Sequence, residues 1–268
     1  MEPLVTVIMA AYNAERYIAA AVDSVLRQSH HNWELMVVND GSTDGTARIL
    51  ATYTDPRIKV FNKSNGGIGS ARNIGLDHAK GGFLCCLDAD DVLPEKSLEA
   101  RLRVFASDPA LDIVDGKVVF MNEDLSVVLK EYAPAFRGNP FHELISFSGR
   151  CFMGPSWMVR SEKGQAPRFE DRISHAEDLL FCLMYSKDRL MGCTAETTLY
   201  YRRSGSSSMT QNLEGMERSF RYIEGKLALT GLAAPAQVKL FRRKYRRIMV
   251  GTYWKAHRYR QAFKAWVM

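Results

Sequence analysis

Four stretches of the chain carry side chains whose type and spacing suit chemistry. The first is an apolar run, Phe83-Leu84-Cys85-Cys86-Leu87, that ends in Asp88-Ala89-Asp90-Asp91. Two carboxylates at i and i+2 beyond a strand end face one pocket when the chain bends, and they offer hard oxygen ligands to Mg2+ or Mn2+. The plainer reading is a solvated turn before a helix N-terminus, where Asp is favoured anyway. An EF-hand is excluded, because its loop needs an acid or amide where Val92 stands and a glycine where Leu93 stands. The second is Asp40, which closes the run WELMVVND. A carboxylate at that position accepts from a nucleobase N–H or a ribose hydroxyl, or else caps the helix after GSTDGT. The third is Asn65-Gly66-Gly67-Ile68-Gly69-Ser70-Ala71-Arg72-Asn73, between a strand and a helix. A dinucleotide fingerprint needs a third glycine where Arg72 stands, so an NAD-dependent oxidoreductase is the weaker reading. The loop reads better as one that delivers Arg72, a fixed cation, toward a base or phosphate, with an ordinary loop as the alternative. The fourth is Glu177-Asp178. Acids at a helix start usually complement the dipole. In a buried setting beside another carboxylate, one of them becomes a general base.

The elements that must position these groups alternate regularly. LVTVIMAA reads as a buried strand, and residues 14–28 carry apolar side chains at helical spacing. WELMVVND is a second strand, and Ser42, Thr43 or Asp44 suits the cap of a helix over 45–54. RIKVF is a third strand, followed by the glycine loop and a helix through SARNIGLDHA. FLCCL is the fourth, with a helix opening at Leu93-Pro94-Glu95. This β-α alternation predicts a Rossmann-like, mostly parallel sheet with helices on both faces, whose ligands bind outside the carboxyl ends of the strands. Those ends read AAYN, VVND, FNKSN and LDADD. Beyond residue 110, DIVDGKVVFMN and LSVVLKEY predict a hairpin, and MGPSWMVRSE a Gly-Pro turn and a strand. EDLLFCLMY predicts a helix, TAETTLYYRRSGSSSMT a strand running into a polar loop, and 213–268 further helices. The predicted organisation is a domain over 1–212, divided at about 105, with a helical extension over 213–268.

The composition excludes several classes. With 46% apolar and 25% charged residues the chain has the makings of a globular core. Its five cysteines (85, 86, 151, 182, 193) show no C-x-x-C spacing, which speaks against a disulfide scaffold or a structural zinc and for a reducing cytoplasm. The N-terminus lacks a basic n-region, and no apolar run approaches the ~18 residues of a membrane span. The net charge of +6 conceals an asymmetry. No Asp or Glu follows Glu224, and eleven Lys or Arg lie in 225–268. Residues 1–224 then hold 25 of the 36 basic residues against all 30 acids, a net −5. Leu240, Phe241, Tyr245, Ile248, Met249, Tyr253, Trp254, Tyr259 and Phe263 are interleaved with those cations. The pattern predicts helices that lie on an anionic membrane leaflet, with nucleic-acid binding and a solvated face as the competing readings.

Taken together, VTVIMAAYNAERYIAAAVDSVLRQSHHNWELMVVNDGSTDGT and NGGIGSARNIGLDHAKGGFLCCLDADD resemble the nucleotide-binding half of the family-2 glycosyltransferases of GT-A fold. The likeness is nearly continuous over residues 4–100, and Glu177-Asp178 extends it to about 205. It implies a place for each residue. Ala11 and Tyr12 lie against the uracil of a UDP-sugar with Glu15 close by, and Asp40 accepts from uracil or ribose. Asn65 and Arg72 complete the nucleotide pocket. Asp88-Ala89-Asp90 is the D-x-D, with Asp90 the more direct ligand of Mn2+ or Mg2+ and Asp88 nearer the ribose and sugar. Asp178 is the base that deprotonates the acceptor hydroxyl for a single inverting displacement.

Two departures from the family pattern stand out. Ala10-Ala11 replaces the usual proline ahead of Tyr-Asn, and no His lies between His175 and His257 to serve as a further metal ligand. Water and diphosphate are left to complete the metal shell, and Arg202 or Arg203 is available to the diphosphate. The implied protein is a metal-dependent glycosyltransferase of lipopolysaccharide, capsule or exopolysaccharide synthesis. It would act on a glycan or glycolipid acceptor at the inner face of the cell membrane, without nucleic acid and with homo-oligomerisation open. A nucleotide-sugar-binding protein without turnover is the alternative.

Overall fold

The structure is a computed structural model that describes residues 2–151, 156–161, 167–203 and 212–267. Eight strands form one mixed sheet: β1 (Val5–Ala11), β2 (Trp33–Asp40), β3 (Ile58–Lys63), β4 (Phe83–Cys86), β5 (Ile113–Met121), β6 (Val128–Tyr132), β7 (Met158–Arg160) and β8 (Met191–Arg202). The order is β3-β2-β1-β4-β7-β5-β6, with β8 paired to β5. The first four strands run parallel. β7 is antiparallel to both β4 and β5, so it joins the parallel half to the rest. β1 and β2 are buried almost throughout, as unbroken apolar runs covered on both faces must be.

Consecutive side chains of β4 and β5 point to opposite faces and feed two cores. Phe83, Cys85 and Val114 join α1 (Ile18–Leu26) and α4 (Ser97–Ser107) on one face. Leu84 and Ile113 join α5 (Phe141–Ser146), α6 (Glu177–Ser186), α7 (Leu213–Leu229), α8 (Pro235–Lys255) and α9 (Tyr259–Val267) on the other. Two further helices complete the alternation, α2 (Thr46–Leu50) and α3 (Ile68–His78). The hairpin of β5 and β6 forms as the sequence predicts. Gly154 and Pro155 of the expected turn, and the hydroxyls of the loop after Arg203, lie outside the described residues.

Two expectations require correction. The helix after DADD begins at Ser97, not at Leu93, because Val92 is drawn into a bridge with Tyr200. Val92 and Tyr200 exchange backbone hydrogen bonds of 3.1 and 2.9 Å, which hold Val92 out of a helix. The apolar residues of 238–263 are not all available to a membrane. Phe241, Tyr245, Met249 and Tyr253 are core residues of the same cluster as α5 and α6. Only Ile248, Trp254, Tyr259 and Phe263 stand exposed among those named above, and Leu240 is partly buried. The acid-free tail finds its counter-charges on α7. Glu224 accepts from Arg242 and from the Tyr245 hydroxyl, Glu217 from the Tyr253 hydroxyl, and Glu214 from Arg258.

Candidate active site

The groups singled out in the sequence converge at the carboxyl ends of β1, β2 and β4. Two loops form the first wall. Asn13, in the left-handed region at φ 48°, accepts from the Thr43 backbone N–H at 2.8 Å. Ala14 N donates to Thr46 Oγ1 at 2.8 Å, and Glu15 accepts from Gly45 N at 2.6 Å. These bonds lock the loop after β1 onto the loop after β2 without the proline usual in the family. Ala11 is buried in the strand, while the Tyr12 ring is 54% exposed above it. None of the three expected caps holds the N-cap position of α2, which Gly45 occupies; Asp44, one residue earlier, accepts from Thr46 N at 3.0 Å.

Asp40 is buried and organises the glycine loop. Its Oδ1 accepts from Gly66 N at 2.9 Å and Lys63 Nζ at 2.5 Å, and its Oδ2 from Gly67 N at 2.8 Å. Gly67 has φ +89°, a conformation that suits glycine best. The loop carries Asn65 at the surface and starts α3 so that Arg72, one turn in, points at the next strand end. Gly69 has a separate role: a Cβ there would meet the Glu170 carbonyl oxygen at 2.6 Å, so α3 can lie against that segment only because the residue lacks one.

Arg72 is the hinge of the site. It is 3% exposed and joins two acids distant in sequence, Asp88 at 2.7 Å and Glu177 at 2.9 Å. Its guanidinium also lies 5.2 Å from the Phe169 ring centroid. Burial works against its charge, but Asp88, Glu177 and Asp178 outweigh burial and keep it cationic. The sequence reading sent Arg72 to a base or phosphate. In the structure it hydrogen-bonds two carboxylates, so it ties the β4 end to the start of α6.

The three acids after β4 are not equivalent. Asp88 is held by Arg72. Asp90 is pushed up to about 6 by burial and then by the charge of Asp88, with Arg202 opposing. Asp91 does not open a helix. It is buried, and its Oδ1 accepts from Arg202 N at 2.8 Å. Its Oδ2 has no hydrogen-bond partner, and burial with the nearby charges of Asp88 and Asp90 drives its pKa up. Arg202 closes the turn from behind. Its Nε donates to the Asp90 carbonyl at 2.6 Å, and its guanidinium also reaches the Glu123 carbonyl. For Arg202 the sequence suggested a diphosphate contact; here its guanidinium engages these two carbonyls. Arg203 rests near the Phe120 and Tyr201 rings.

Glu177 and Asp178 open α6 from an unusual backbone. Ala176 sits at φ 57°, a left-handed conformation that costs a non-glycine residue roughly 1 kcal/mol or more. Strain of that kind persists where the surroundings over-determine the geometry. Asp178 is half-buried, accepts from Leu179 N at 2.7 Å, and borders a small apolar cavity of about 40 Å3 with Arg72, Leu84, Cys86, Phe181 and Cys182. Burial and then the charge of Glu177 push it up to about 7, with Arg72 opposing. A carboxyl poised there can take a proton near neutral pH.

The residues fit a divalent cation in their chemistry. Asp88 and Asp90 offer hard oxygens, and a cation would relieve the burial and the Asp88 repulsion that raise Asp90. No cluster of three or more His, Cys, Asp or Glu suited to a metal occurs among the described residues. Two carboxylates plus substrate phosphates and water are a usual shell for Mg2+. The sequence reading missed the roles of Glu177, Asp91 and Arg202 as holders of the site. The one signal it had was their adjacency to Asp178, Asp90 and the polar loop.

The comparisons agree with this geometry. The family model for glycosyl transferase family 2 matches residues 6–160. Over 232 residues the chain is 37% identical to the Escherichia coli UDP-Glc:alpha-D-GlcNAc-diphosphoundecaprenol beta-1,3-glucosyltransferase WfgD, covering 84% of this chain and 88% of that one. It is 37% identical over 180 residues to chondroitin synthase of Pasteurella multocida, covering 66% of this chain but 18% of the synthase, so it spans under a fifth of that protein. Among solved structures, S. aureus TarS 1–349 in complex with UDP-GlcNAc superposes with a TM-score of 0.69 at 20% identity, over 91% of this chain and 72% of that one. The mannosyltransferase PcManGT from Pyrobaculum calidifontis, in complex with GDP-Man and Mn2+, gives 0.66 at 19%, over 99% and 74%. These likenesses show the fold, the expected GT-A arrangement with a mostly parallel sheet. With the family model covering more than half of the sequence, the chain belongs to glycosyl transferase family 2.

Proposed function

We propose that this protein transfers a sugar from a UDP-sugar to a hydroxyl of a lipid-linked or surface-polysaccharide acceptor, with inversion at the anomeric carbon. The observation that carries the reading is the Asp88–Arg72–Glu177 bridge. It couples the acids that would face a nucleotide sugar to a carboxyl, Asp178, whose pKa near 7 suits a general base. Tyr12 would lie over the uracil, and Ala11, Glu15, Asn65 and Ala89 would line the nucleotide. Asp40 would act on it both directly, through its remaining lone pairs, and through the glycine loop that it holds. Asp88 would face the ribose and donor sugar. Asp178 would accept the proton of the acceptor hydroxyl as its oxygen attacks the anomeric carbon and UDP departs. Asp90 and Asp88 would hold Mn2+ or Mg2+, which supplies neutralisation of charge on the departing diphosphate.

The 37% identity to a glucosyltransferase named for a diphosphoundecaprenol-linked substrate, over nearly the whole of both chains, supports a polysaccharide-synthesis role and a lipid-linked acceptor. Such an acceptor would place the protein peripherally on the inner face of the membrane, with 225–268 toward the anionic leaflet. Among the described residues no helix is long and apolar enough to cross a membrane. Residues 1–212 would bind donor and acceptor, and 213–268 would serve the membrane.

The test is a panel of nucleotide sugars with Mn2+, read as thermal stabilisation, followed by transfer assays on Asp178→Asn with the donor that stabilises. A ligand at a hundred times its Kd raises stability by about 2.7 kcal/mol. We expect a UDP-sugar to stabilise both proteins and transfer to be lost only in the variant. Undiminished transfer by Asp178→Asn removes the base, and stabilisation by no UDP-sugar removes the donor class.

A further inference from the structure

The surface formed by α8 and α9 departs from a solvated helical face in two ways. The first is that α9 is inverted. Ala262 and Ala265 point inward, each 3% exposed, while Tyr259, Phe263, Trp266 and Val267 stand 51–72% exposed. The outward residues fall at i, i+4, i+7 and i+8, one stripe of the helix. A helix that faces only water turns its large apolar side chains in. An apolar stripe turned out marks a surface that something covers.

The second is a groove of about 650 Å3 beside that stripe. Lys239, Arg242, Arg243, Arg246 and Arg247 line it, with Leu240, Val250 and Trp266 as its apolar part. Trp266 therefore belongs both to the groove and to the exposed stripe. Glu224 pairs with Arg242, and no acid follows Glu224 in the sequence. Cations of this number on one helix repel each other, and an anion between them lowers that energy.

We propose that the groove between α8 and α9 is a binding site for the phosphate headgroup of an anionic membrane phospholipid. The phosphate sits among Arg243, Arg247 and their neighbours. The first methylenes of the lipid lie on Leu240, Val250 and Trp266, and the aromatic stripe of α9 enters the leaflet. The pairing of cations with aliphatic surface selects this occupant. A lipid brings phosphate and hydrocarbon together, whereas a polynucleotide brings phosphate without hydrocarbon for Leu240 and Val250 to cover. The inference rests on the membrane-surface reading above and sharpens it: that reading needs only diffuse attraction, and this one needs a saturable site.

Tryptophan fluorescence on the full chain tests it. Trp33 and Trp157 are 1% and 5% exposed, whereas Trp254 and Trp266 are 62% and 72% exposed, so Trp254→Phe leaves Trp266 as the reporter of the surface. The probes are phosphatidylglycerol vesicles, phosphatidylcholine vesicles, monomeric dihexanoyl-phosphatidylglycerol, inorganic phosphate and a single-stranded oligonucleotide. We expect a blue shift with phosphatidylglycerol vesicles and a saturable one with the monomeric lipid, and none with phosphatidylcholine or inorganic phosphate. Arg243→Glu/Arg247→Glu should lose at least about 25-fold in vesicle affinity, from roughly fivefold per cation at a membrane surface, and should lose the response to monomeric lipid. Lys255→Glu/Arg260→Glu, an equal charge change at exposed residues outside the groove, should lose less and keep that response. Equal losses in both pairs, with no response to monomeric lipid, overturn the groove and leave diffuse membrane attraction standing. Failure of the unaltered chain to bind phosphatidylglycerol vesicles overturns both. An oligonucleotide that binds more tightly than the vesicles overturns the lipid as occupant.

Discussion

At the carboxyl ends of β2 and β4 the chain buries its acids; along α8 and α9 it leaves most of its cations in water. Asp40, Asp91 and Glu177 are each under a tenth exposed, and each is held by bonds from another part of the chain. Arg242, Arg243 and Arg247 are exposed on one helix. The first arrangement concentrates like charge at low dielectric, which raises Asp90, Asp91 and Asp178 and needs Arg72 to be tolerable. The second concentrates like charge where water and salt screen it. The difference separates two uses of charge. Buried acids hold their positions against repulsion, which suits chemistry, and exposed cations suit attraction to a surface.

The largest test of that contrast is Arg72→Met. It leaves Glu177 buried and Asp88 half-buried without their cation, and breaking a buried pair costs about 3–5 kcal/mol. The thermal midpoint should fall by about 10 °C, with UDP-sugar stabilisation lost as well. A midpoint within about 2 °C of the unaltered chain would mean that the bridge does not hold the site. Asp90→Ala should come next. UDP binding should lose its enhancement by Mn2+ while the fold keeps its midpoint or gains, since a partly buried acid repelled by Asp88 is removed. Calorimetric titration of UDP with and without Mn2+ reads this, and an unchanged enhancement would move the metal elsewhere.

Glu177→Gln is a finer probe. Removing the neighbouring charge lowers the pKa of Asp178, so the acid limb of transfer, which should rise through about pH 7 in the unaltered chain, should move down by about one unit. A limb that stays in place would detach Asp178 from the limb or Glu177 from Asp178. The smallest effect concerns the join between the two regions. Glu170 accepts from Arg172, Tyr222 and Lys226, and although burial opposes its charge, these bonds bring it down to about 2. Because the folded value is depressed, its stabilisation is present above the ordinary Glu value and fades as pH falls toward 2. Glu170→Ala should cost about 2 kcal/mol at pH 7, and the difference from the unaltered chain should shrink below pH 4.5. A pH-independent difference would assign the loss to packing alone.

The sequence made the β-α alternation, the acids at the strand ends and the acidic pair at a helix start legible, because each is a local pattern of period or adjacency. It erred where a distant partner decides the outcome. Val92 looks free to begin a helix until Tyr200 pairs with it. Asp91 looks like a first-turn acid until Arg202 N, 111 residues away, bonds to it. The same holds for 238–263. The apolar face of α8 is evident in the sequence, yet amphipathicity states that a face will be covered and not by what. Protein covers Phe241, Tyr245, Met249 and Tyr253, while Trp254 and the stripe on α9 remain uncovered.

What the amino-acid sequence determined alone is the set of chemical groups and the elements that carry them: Asp40, Asp88, Asp90 and Asp178 at element ends, and a tail with cations and no acid after Glu224. What only the tertiary structure decided is how those groups are coupled. Arg72 meets Glu177 across 105 residues of chain, and Trp266 meets Arg243 in one groove by the folding back of α9 on α8. The physical reason is the reach of each interaction. Strand and helix periods are set within a few residues, whereas burial, pKa and charge pairing depend on which distant segments the two cores bring into contact.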